Sequence, residues 1–486
     1  MLENYNKNTK IVCTIGPASE SVEVLKKLIA AGMNVMRLNF SHGSYEEHLR
    51  KIEAVRSFEE KGIFIPIMLD TRGPEIRCHD MENNKIHINK DSILRIAMDK
   101  VLGTPEKISV NFPGLFDDVS IGNHVKMDDG KLDLQVIDKD YEHKEIITKA
   151  LNHHDLCSKK GVNCTGARLS MEFISEKDRQ DIVWGCQHGI DFIAASFVRN
   201  KDDVIEIRKI LEECGREDVK IISKIENCQA MDVLDEIIEA SDGIMVARGD
   251  LGVEVPFEEV PVVQRKLIDA CRRAGKPVIT ATQMLDSMCH SPIPTRAEVS
   301  DVATAVREST DCVMLSAESA SGEYPVEAVE TQAKISKAME RELNYEKLAR
   351  EAYETSNKDN NDAIANSICN TAKLIDAKYI ISFTITGRSS RRISKARPCC
   401  PIISISNNVE TVRQNAMYWG IYSVYIPVRM PGFIEEMETI AIFYAKKMGA
   451  KAGDVIIISG GTPAEAGKTN FMRIVEIPKD KTFGSN

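Results

Sequence analysis

Val219-Lys-Ile-Ile-Ser-Lys224-Ile-Glu226-Asn227, followed by Gly243-Ile-Met-Val-Ala-Arg-Gly-Asp250, carries the reading of this chain. Each segment is a short apolar run ending in charge, the signature of a strand buried on both faces of a parallel sheet. Successive side chains on a strand alternate faces, so Lys224 and Glu226 leave one strand end in the same direction. A neighbouring strand brings Asp250 to them. One ammonium and two carboxylates on a strand-end rim suit the holding of a divalent cation beside a phosphoryl group in transfer. Taken alone, Lys224 and Glu226 read equally well as a structural ion pair; Asp250 and Arg37 tip the balance toward a site.

The same kind of run recurs at Lys10–Gly16, Asn34–Phe40, Ile65–Asp70, Asp191–Phe197, Pro277–Gln283 and Cys312–Ser319, giving eight strand candidates in all. Helical spacing fills the intervals, as in Val22, Leu25, Leu28 and Ile29, or Val299, Val302 and Val306. Gly32, Gly62, Gly189, Gly215 and Gly275 fall just before strands, where helices commonly stop. Eight such units predict an α/β fold built on a (β/α)8 barrel, over 1–69 and 171–344. From Asp70 to about Ser170 the pattern turns to short β runs: Lys85–Ile88, Ser92–Met98, His124–Asp128, Leu132–Ile137 and Glu145–Ala150. This predicts an all-β lid domain, 70–170, inserted after the third strand on the catalytic face. Beyond a polar stretch at 351–361, strands at Tyr379–Thr386, Pro401–Ser406, Gly420–Ile426, Asp454–Gly460 and Phe471–Ile477 predict a C-terminal three-layer α/β domain, 345–486.

With 486 residues, 43% hydrophobic and 28% charged, the chain has the makings of a large globular core. A net charge of −10 with no broad basic face argues against nucleic acid as a partner. The thirteen cysteines are scattered without a CxxC pair, which predicts reduced thiols and a cytoplasmic setting. Met1 to Lys10 has no apolar leader character, and no apolar run reaches membrane length.

On a barrel, reactive groups gather at the C-terminal ends of the strands. The second strand ends with Arg37, Asn39 and Ser41 on one face, followed by His42; the third ends at Asp70-Thr71, with Arg77 beyond. The fifth and sixth end at Lys224, Glu226 and Asp250, the seventh at Thr282, the eighth at Ser316 and Glu318. Cations and oxygen ligands together suit a phosphorylated, carboxylate-bearing substrate with metal ions. Singly, Arg37 and Arg77 read as structural arginines, Thr282 and Ser316 as ordinary strand-end hydroxyls, and His42 as a helix-start residue.

Six stretches, in order, resemble the pyruvate kinase family over nearly the whole chain: Arg37-Leu-Asn-Phe-Ser-His42, Leu69-Asp-Thr-Arg-Gly-Pro-Glu-Ile-Arg77, Ile221-Ile-Ser-Lys-Ile-Glu-Asn227, Ile244-Met-Val-Ala-Arg-Gly-Asp-Leu-Gly252, Thr280-Ala-Thr-Gln-Met-Leu-Asp286 and Pro294-Thr-Arg-Ala-Glu298. The resemblance implies phosphoryl transfer from phosphoenolpyruvate to ADP, giving pyruvate and ATP in the last step of glycolysis. It implies that Lys224 and Arg37 serve the transferring phosphoryl group. Glu226 and Asp250 would hold Mg²⁺ (or Mn²⁺), and Gly249, Asp250 and Thr282 the substrate carboxylate. Asn39, Ser41, Asp70 and the Thr71 carbonyl would take K⁺. Asn39, His42, Arg77 and Lys160 would meet the nucleotide, and Thr282 and Ser316 would lie near the proton path to the enolate. Glu75 resembles the K⁺-dependent type, in contrast to members where a lysine replaces the monovalent cation. A homotetramer is implied by the resemblance alone.

The chain departs from the family pattern at Arg72, at Cys78, in Asn163-Cys-Thr-Gly-Ala-Arg168 and in Ser316-Ala-Glu-Ser319, positions that bear on the lid hinge and turnover. In the last domain, Thr384, Thr386, Gly387, Arg388 and Ser389 end a strand and open a helix that carries Arg391 and Arg392, a phosphate cradle by its chemistry. By resemblance it takes a phosphorylated effector. The partner loop, 459–468, has neither the Trp nor the Arg used by animal forms responding to fructose bisphosphate, so a sugar monophosphate or AMP suits it at least as well. Gly461 to Thr469 has one residue too many for a nucleotide-binding phosphate loop and leads into a strand, so it is rejected as an ATP site. A non-catalytic metabolite sensor and a barrel enzyme cleaving a carbon–carbon bond are the competing classes. The sensor predicts gaps in the Lys224, Glu226, Asp250 and Thr282 set; the cleaving enzyme has no use for the inserted domain or Lys160.

Overall fold

In the computed structural model, which describes residues 7–357, 359–461 and 469–479, the eight predicted runs form a closed parallel barrel. Its strands are Lys10–Thr14, Val35–Asn39, Ile67–Asp70, Phe192–Ala195, Lys220–Ile225, Gly243–Ala247, Val278–Ala281 and Cys312–Leu315. They run round the barrel in sequence order, and the eighth closes on the first with Val313 beside Ile11. The register sets Asn39 beside Asp70 and Lys224 beside Met245, so the strands end level at one mouth. Inside, Val12, Met68, Phe192, Ile222 and Met314 pack as a solid core, joined by Met417 from the C-terminal region.

Local sequence sets the surrounding helices. Val22–Ala31 buries Leu25 and Leu28 and stops at Gly32, whose φ of 130° a side chain would resist. Val22, expected on the buried face, is 52% exposed: as the first helical residue it lies beyond the edge of the barrel wall. Helices Tyr45–Arg56 and Arg296–Arg307 begin with reciprocal caps, Ser44 with Glu47 and Thr295 with Glu298.

After the third barrel strand the chain forms a seven-stranded sheet and a two-stranded one around a separate core that includes Ile96, Val125, Leu134 and Ile146. The short runs read from sequence are present there. Four more strands are Ile76–Arg77, Lys107–Ser109, His154–Cys157 and Gly161–Thr165. Each buries at most two apolar residues, too few for alternation to stand out. The predicted run Leu132–Ile137 extends to Asp140, paired to Glu145–Ala150 across a bulge.

The C-terminal region is a five-stranded sheet in the order Ile421–Tyr425, Ile402–Ser406, Tyr379–Phe383, Val455–Gly460, Phe471–Glu476, with the last antiparallel to its neighbour. Apolar clusters on both faces are covered by helices, completing three layers. Arg397 ties this region to the base of the eighth barrel strand through a buried ion pair with Asp311 at 2.8 Å. Beside it, Lys10 Nζ donates to the Ile421 carbonyl at 2.5 Å. All thirteen cysteines are free. Among the described residues, no helix is long and apolar enough to cross a membrane.

Candidate active site

Lys224 stands at the centre of the barrel mouth. Its Nζ lies 3.0 Å from Glu226 Oε1 and 3.2 Å from Asp70 Oδ1, and it donates to Ser196 Oγ at 2.7 Å. Arg37, 8% exposed, approaches Asp70 from the other side: Nε donates to Asp70 Oδ2 at 2.7 Å and Nη1 to Thr14 Oγ1 at 2.8 Å. Six residues thus form one network, because five strands end there.

The electrostatics follow from burial and pairing. Burial opposes charge on Lys224, yet Asp70 and Glu226 outweigh it and hold the ammonium above the usual lysine range. Burial likewise opposes charge on Asp70, but Arg37 and Lys224 bring its carboxyl below the ordinary value. At Glu226 burial wins: its carboxyl is pushed up to about 7, against the pull of Lys224 and with the help of Asp250. Asp250, in the first turn of Arg248–Glu254, is raised for the same leading reason and hydrogen-bonds Glu226.

Two carboxyls in mutual contact, Glu226 buried and Asp250 half-buried, need a proton or a cation between them, and oxygen donors of this kind suit a hard divalent ion. Among the described residues no cluster of three or more His, Cys, Asp or Glu side chains is arranged to hold a metal, so Glu226 and Asp250 are a two-carboxylate set. The residues predicted for a monovalent cation also offer only oxygen. Asn39 lies beside Asp70, and the Thr71 carbonyl accepts from Ser196 Oγ at 2.6 Å. Ser41 lies past the end of its strand, where alternation no longer applies; its N–H donates to Asn39 Oδ1 at 3.0 Å.

Backbone strain concentrates at this mouth. Phe197, Thr282 and Gln283 have φ of 56°, 69° and 52°, in the left-handed region that bulky and β-branched residues avoid. The turn at Phe197 aims its N–H at Glu226 Oε2, 2.5 Å away. Thr282 Oγ1 accepts from the Gly249 N–H at 2.8 Å, joining the seventh strand to the helix bearing Asp250. Glu318, 2% exposed, accepts from the N–H groups of Ser316 (2.7 Å) and Leu285 (3.1 Å), linking the ends of the seventh and eighth strands.

The predicted nucleotide residues lie farther out. A cavity of about 330 Å³ separates the barrel mouth from the inserted sheets, with Glu226, Asp250 and Glu254 on one side and Glu75, Arg77 and Lys160 on the other. Lys160 remains on its own side, 2.9 Å from Asp128 Oδ1, and Arg77 pairs with Glu75 at 2.7 Å. His42 is exposed, and its carbonyl meets His48 Nε2 at 3.0 Å. Sequence reasoning missed Ser196 and Arg248. Ser196 follows directly on the fourth strand, which like the first was given no chemical residue, and the rule that strand ends line the mouth would have found it.

In the C-terminal region, Gly387 has φ 80° and opens the helix Arg388–Lys395. A Cβ there would lie 2.5 Å from Asn415 Oδ1 and 2.8 Å from Arg391 Nη2, so glycine serves both turn and packing. The Gly387 N–H donates to Thr384 Oγ1 at 3.0 Å, Arg391 Nη2 to the Thr386 carbonyl at 3.1 Å, and the Ser389 and Thr469 hydroxyls bond one another. Arg392 is bonded instead to Asp359 at 2.8 Å and Asp362 at 3.2 Å. Most of the partner loop, 462–468, lies outside the described residues.

A closed (β/α)8 barrel with a buried lysine, two carboxylates and an arginine at its mouth, facing an inserted β sheet, defines a phosphotransferase of the barrel class. Comparison with known proteins narrows the class. The family model "Pyruvate kinase, barrel domain" matches residues 6–329, and "Pyruvate kinase, alpha/beta domain" matches 362–475. The chain is 49% identical over 471 residues to pyruvate kinase of Geobacillus stearothermophilus, covering 96% of this chain and 80% of that one. It is 48% identical over 470 residues, with the same coverage, to pyruvate kinase of Bacillus licheniformis. A crystal structure of a pyruvate kinase from Cryptosporidium parvum superposes with a TM-score of 0.92 at 38% identity, covering 98% of this chain and 97% of that one. The chain belongs to the pyruvate kinase family.

Proposed function

We propose that this enzyme transfers the phosphoryl group of phosphoenolpyruvate to ADP, releasing pyruvate and ATP. The observation that carries the reading is Lys224 Nζ, held charged between Asp70 and Glu226 with Arg37 beside it. As the bond from phosphorus to the enol oxygen breaks and an ADP phosphate oxygen attacks, negative charge spreads over the phosphoryl oxygens. Lys224 and Arg37, fixed in advance, meet that charge without reorganising. The Gly249 and Asp250 amides and the Thr282 hydroxyl receive the substrate carboxylate at the start of a helix. Ser316 and Thr282 flank the route by which the enolate carbon gains its proton.

Glu226 and Asp250 are the residues that would hold Mg²⁺ or Mn²⁺, which supplies Lewis-acid neutralisation of phosphoryl and enolate oxygens when bound. Asn39, Ser41, Asp70 and Thr71 would hold K⁺, and Glu75 favours K⁺ dependence. Arg77, His42, Asn39 and Lys160 serve the nucleotide, with the inserted region 70–170 acting as a lid on the barrel of 1–69 and 171–344. The cradle Thr384–Ser389, in region 345–486, takes a phosphorylated effector: a sugar monophosphate, AMP or fructose bisphosphate. The enzyme works in the cytoplasm as a homotetramer in the last step of glycolysis.

A coupled assay following pyruvate from phosphoenolpyruvate, ADP, Mg²⁺ and K⁺ tests the reading. Pyruvate formed in step with ATP is expected, with a strong loss when Na⁺ replaces K⁺. Pyruvate released without ATP would refute the reaction, and indifference to the monovalent ion would refute the role of Glu75.

A further inference from the structure

Cys369, Cys399 and Cys400 come together where helices Tyr345–Glu354 and Asn360–Leu374 meet the loop after Arg388–Lys395. Cys369 and Cys400 are buried, whereas Cys399 is exposed. A cavity of about 420 Å³ opens there, lined by Arg350, Tyr353, Cys369, Lys373, Arg397 and Cys399. Three cations, Arg350, Lys373 and Arg397, line it beside one carboxylate, Glu346; Lys373 pairs with Glu346 and Arg397 with Asp311, which leaves Arg350 as the excess charge. Arg397 is only 3% exposed, yet its Nε has no hydrogen-bond partner. A buried guanidinium N–H left unbonded is costly.

We propose that Cys399 is a site of reversible S-thiolation, with this cavity taking a carboxylate-bearing low-molecular-weight disulfide. The Cys399 thiolate sulfur attacks one sulfur of the incoming disulfide. A protein–ligand S–S bond forms as the ligand's own S–S bond breaks, and the departing thiolate takes a proton from water. No outside oxidant is needed: the Cys399 sulfur rises from the thiolate to the disulfide level as the departing half of the ligand falls from the disulfide to the thiol level, while the other half stays at the disulfide level on Cys399. Cys399 is prepared for attack, since the hydrogen bond from Cys400 brings its thiol down to about 7 against the effect of burial. The other buried thiols are pushed upward; burial leads at Cys369, and the same Cys399 contact leads at Cys400. Arg350 and Lys373 attract the carboxylates. Arg397 connects the cavity to the base of the eighth barrel strand.

The test is intact-protein mass after incubation with glutathione disulfide at neutral pH, followed by peptide mapping of the full chain. The expected result is a single glutathione adduct on Cys399, reversed by a dithiol and lost in Cys399→Ser. Arg350→Glu is expected to slow the reaction by on the order of tenfold with glutathione disulfide and to leave it unchanged with the uncharged bis(2-hydroxyethyl) disulfide. Modification falling first on another cysteine, an internal Cys399–Cys400 bond in place of an adduct, or equal slowing with the uncharged reagent would each overturn the proposal.

Discussion

Arg248 Nη2 donates to the Thr282 carbonyl oxygen at 2.6 Å, and that bond fixes a β-branched residue at a φ of 69°. The same guanidinium bonds the Ala281 carbonyl at 3.2 Å and Asp301 Oδ1 at 2.6 Å, so one side chain spans the turn after the seventh strand. Lysine keeps the charge but not the fork. Arg248→Lys is therefore expected to lower kcat by about a hundredfold through misplacement of Thr282, with a much smaller change in KM for phosphoenolpyruvate. Steady-state kinetics beside a thermal melt would check this; unchanged kcat in a folded variant would show that Arg248 does not position the turn.

Lys224→Met removes charge at the centre of the network while keeping most of the volume. Glu226, already drawn toward its protonated form, can take a proton and so limit the structural damage. Turnover is expected to fall by about a thousandfold or more, because the lost interaction serves developing charge more than bound substrate. Circular dichroism confirming the fold, with kcat measured at saturating substrates, would decide; turnover near that of the unaltered enzyme would exclude Lys224 from the chemistry.

The barrel was legible because each of its strands is a mostly apolar run and several follow a helix-stopping glycine, as the seventh follows Gly275 with φ 70°. The inserted sheets were harder. Gly161–Thr165 places only Val162 and Cys164 inward, and its neighbour Ile76–Arg77 has two residues. Lys224 and Glu226 could be placed together by strand alternation alone, and their 3.0 Å contact follows from it. Ser196 escaped notice because a serine at a strand end carries no charge to mark it. The roles of Arg248 and Glu318 depend on backbone groups of other loops, which residue spacing does not reveal.

Lys10 is 1% exposed at the junction of barrel and C-terminal sheet, 4.1 Å from the centre of the Tyr422 ring. Burial first, and Lys7 second, bring its ammonium down to about 7 from an ordinary 10.5. Below pH 7 folded and unfolded chains both carry the proton, and the folded state bears the full cost of burying it. Between 7 and 10.5 the unfolded chain binds more protons, so this group's contribution to stability rises with pH. Lys10→Met is expected to unfold at a higher temperature than the unaltered chain at about pH 6, with the gap narrowing by about pH 9. Calorimetry across that range would check the sign; a gap that widens with pH would mean Lys10 is not held short of its ordinary protonation.

Arg391 lies under the turn Thr384–Ser389 proposed to cradle a phosphate: its Nε donates to Asn415 Oδ1 at 2.9 Å, its Nη2 to the Thr386 carbonyl, and its guanidinium stacks 5.1 Å from the Tyr418 ring centre. Removing it frees the Thr386 turn and leaves Asn415 without its donor, while no residue of the barrel mouth is touched. Arg391→Ala is therefore expected to retain basal turnover within about twofold and to raise the concentration of activating sugar monophosphate or AMP needed for half-maximal response by about tenfold or more. Titrating initial rate against each effector at subsaturating phosphoenolpyruvate gives both quantities in one experiment. A variant with the same half-maximal concentration would place the effector elsewhere, whereas a matching loss of basal rate would indicate that the helix Arg388–Lys395 supports the barrel rather than a ligand.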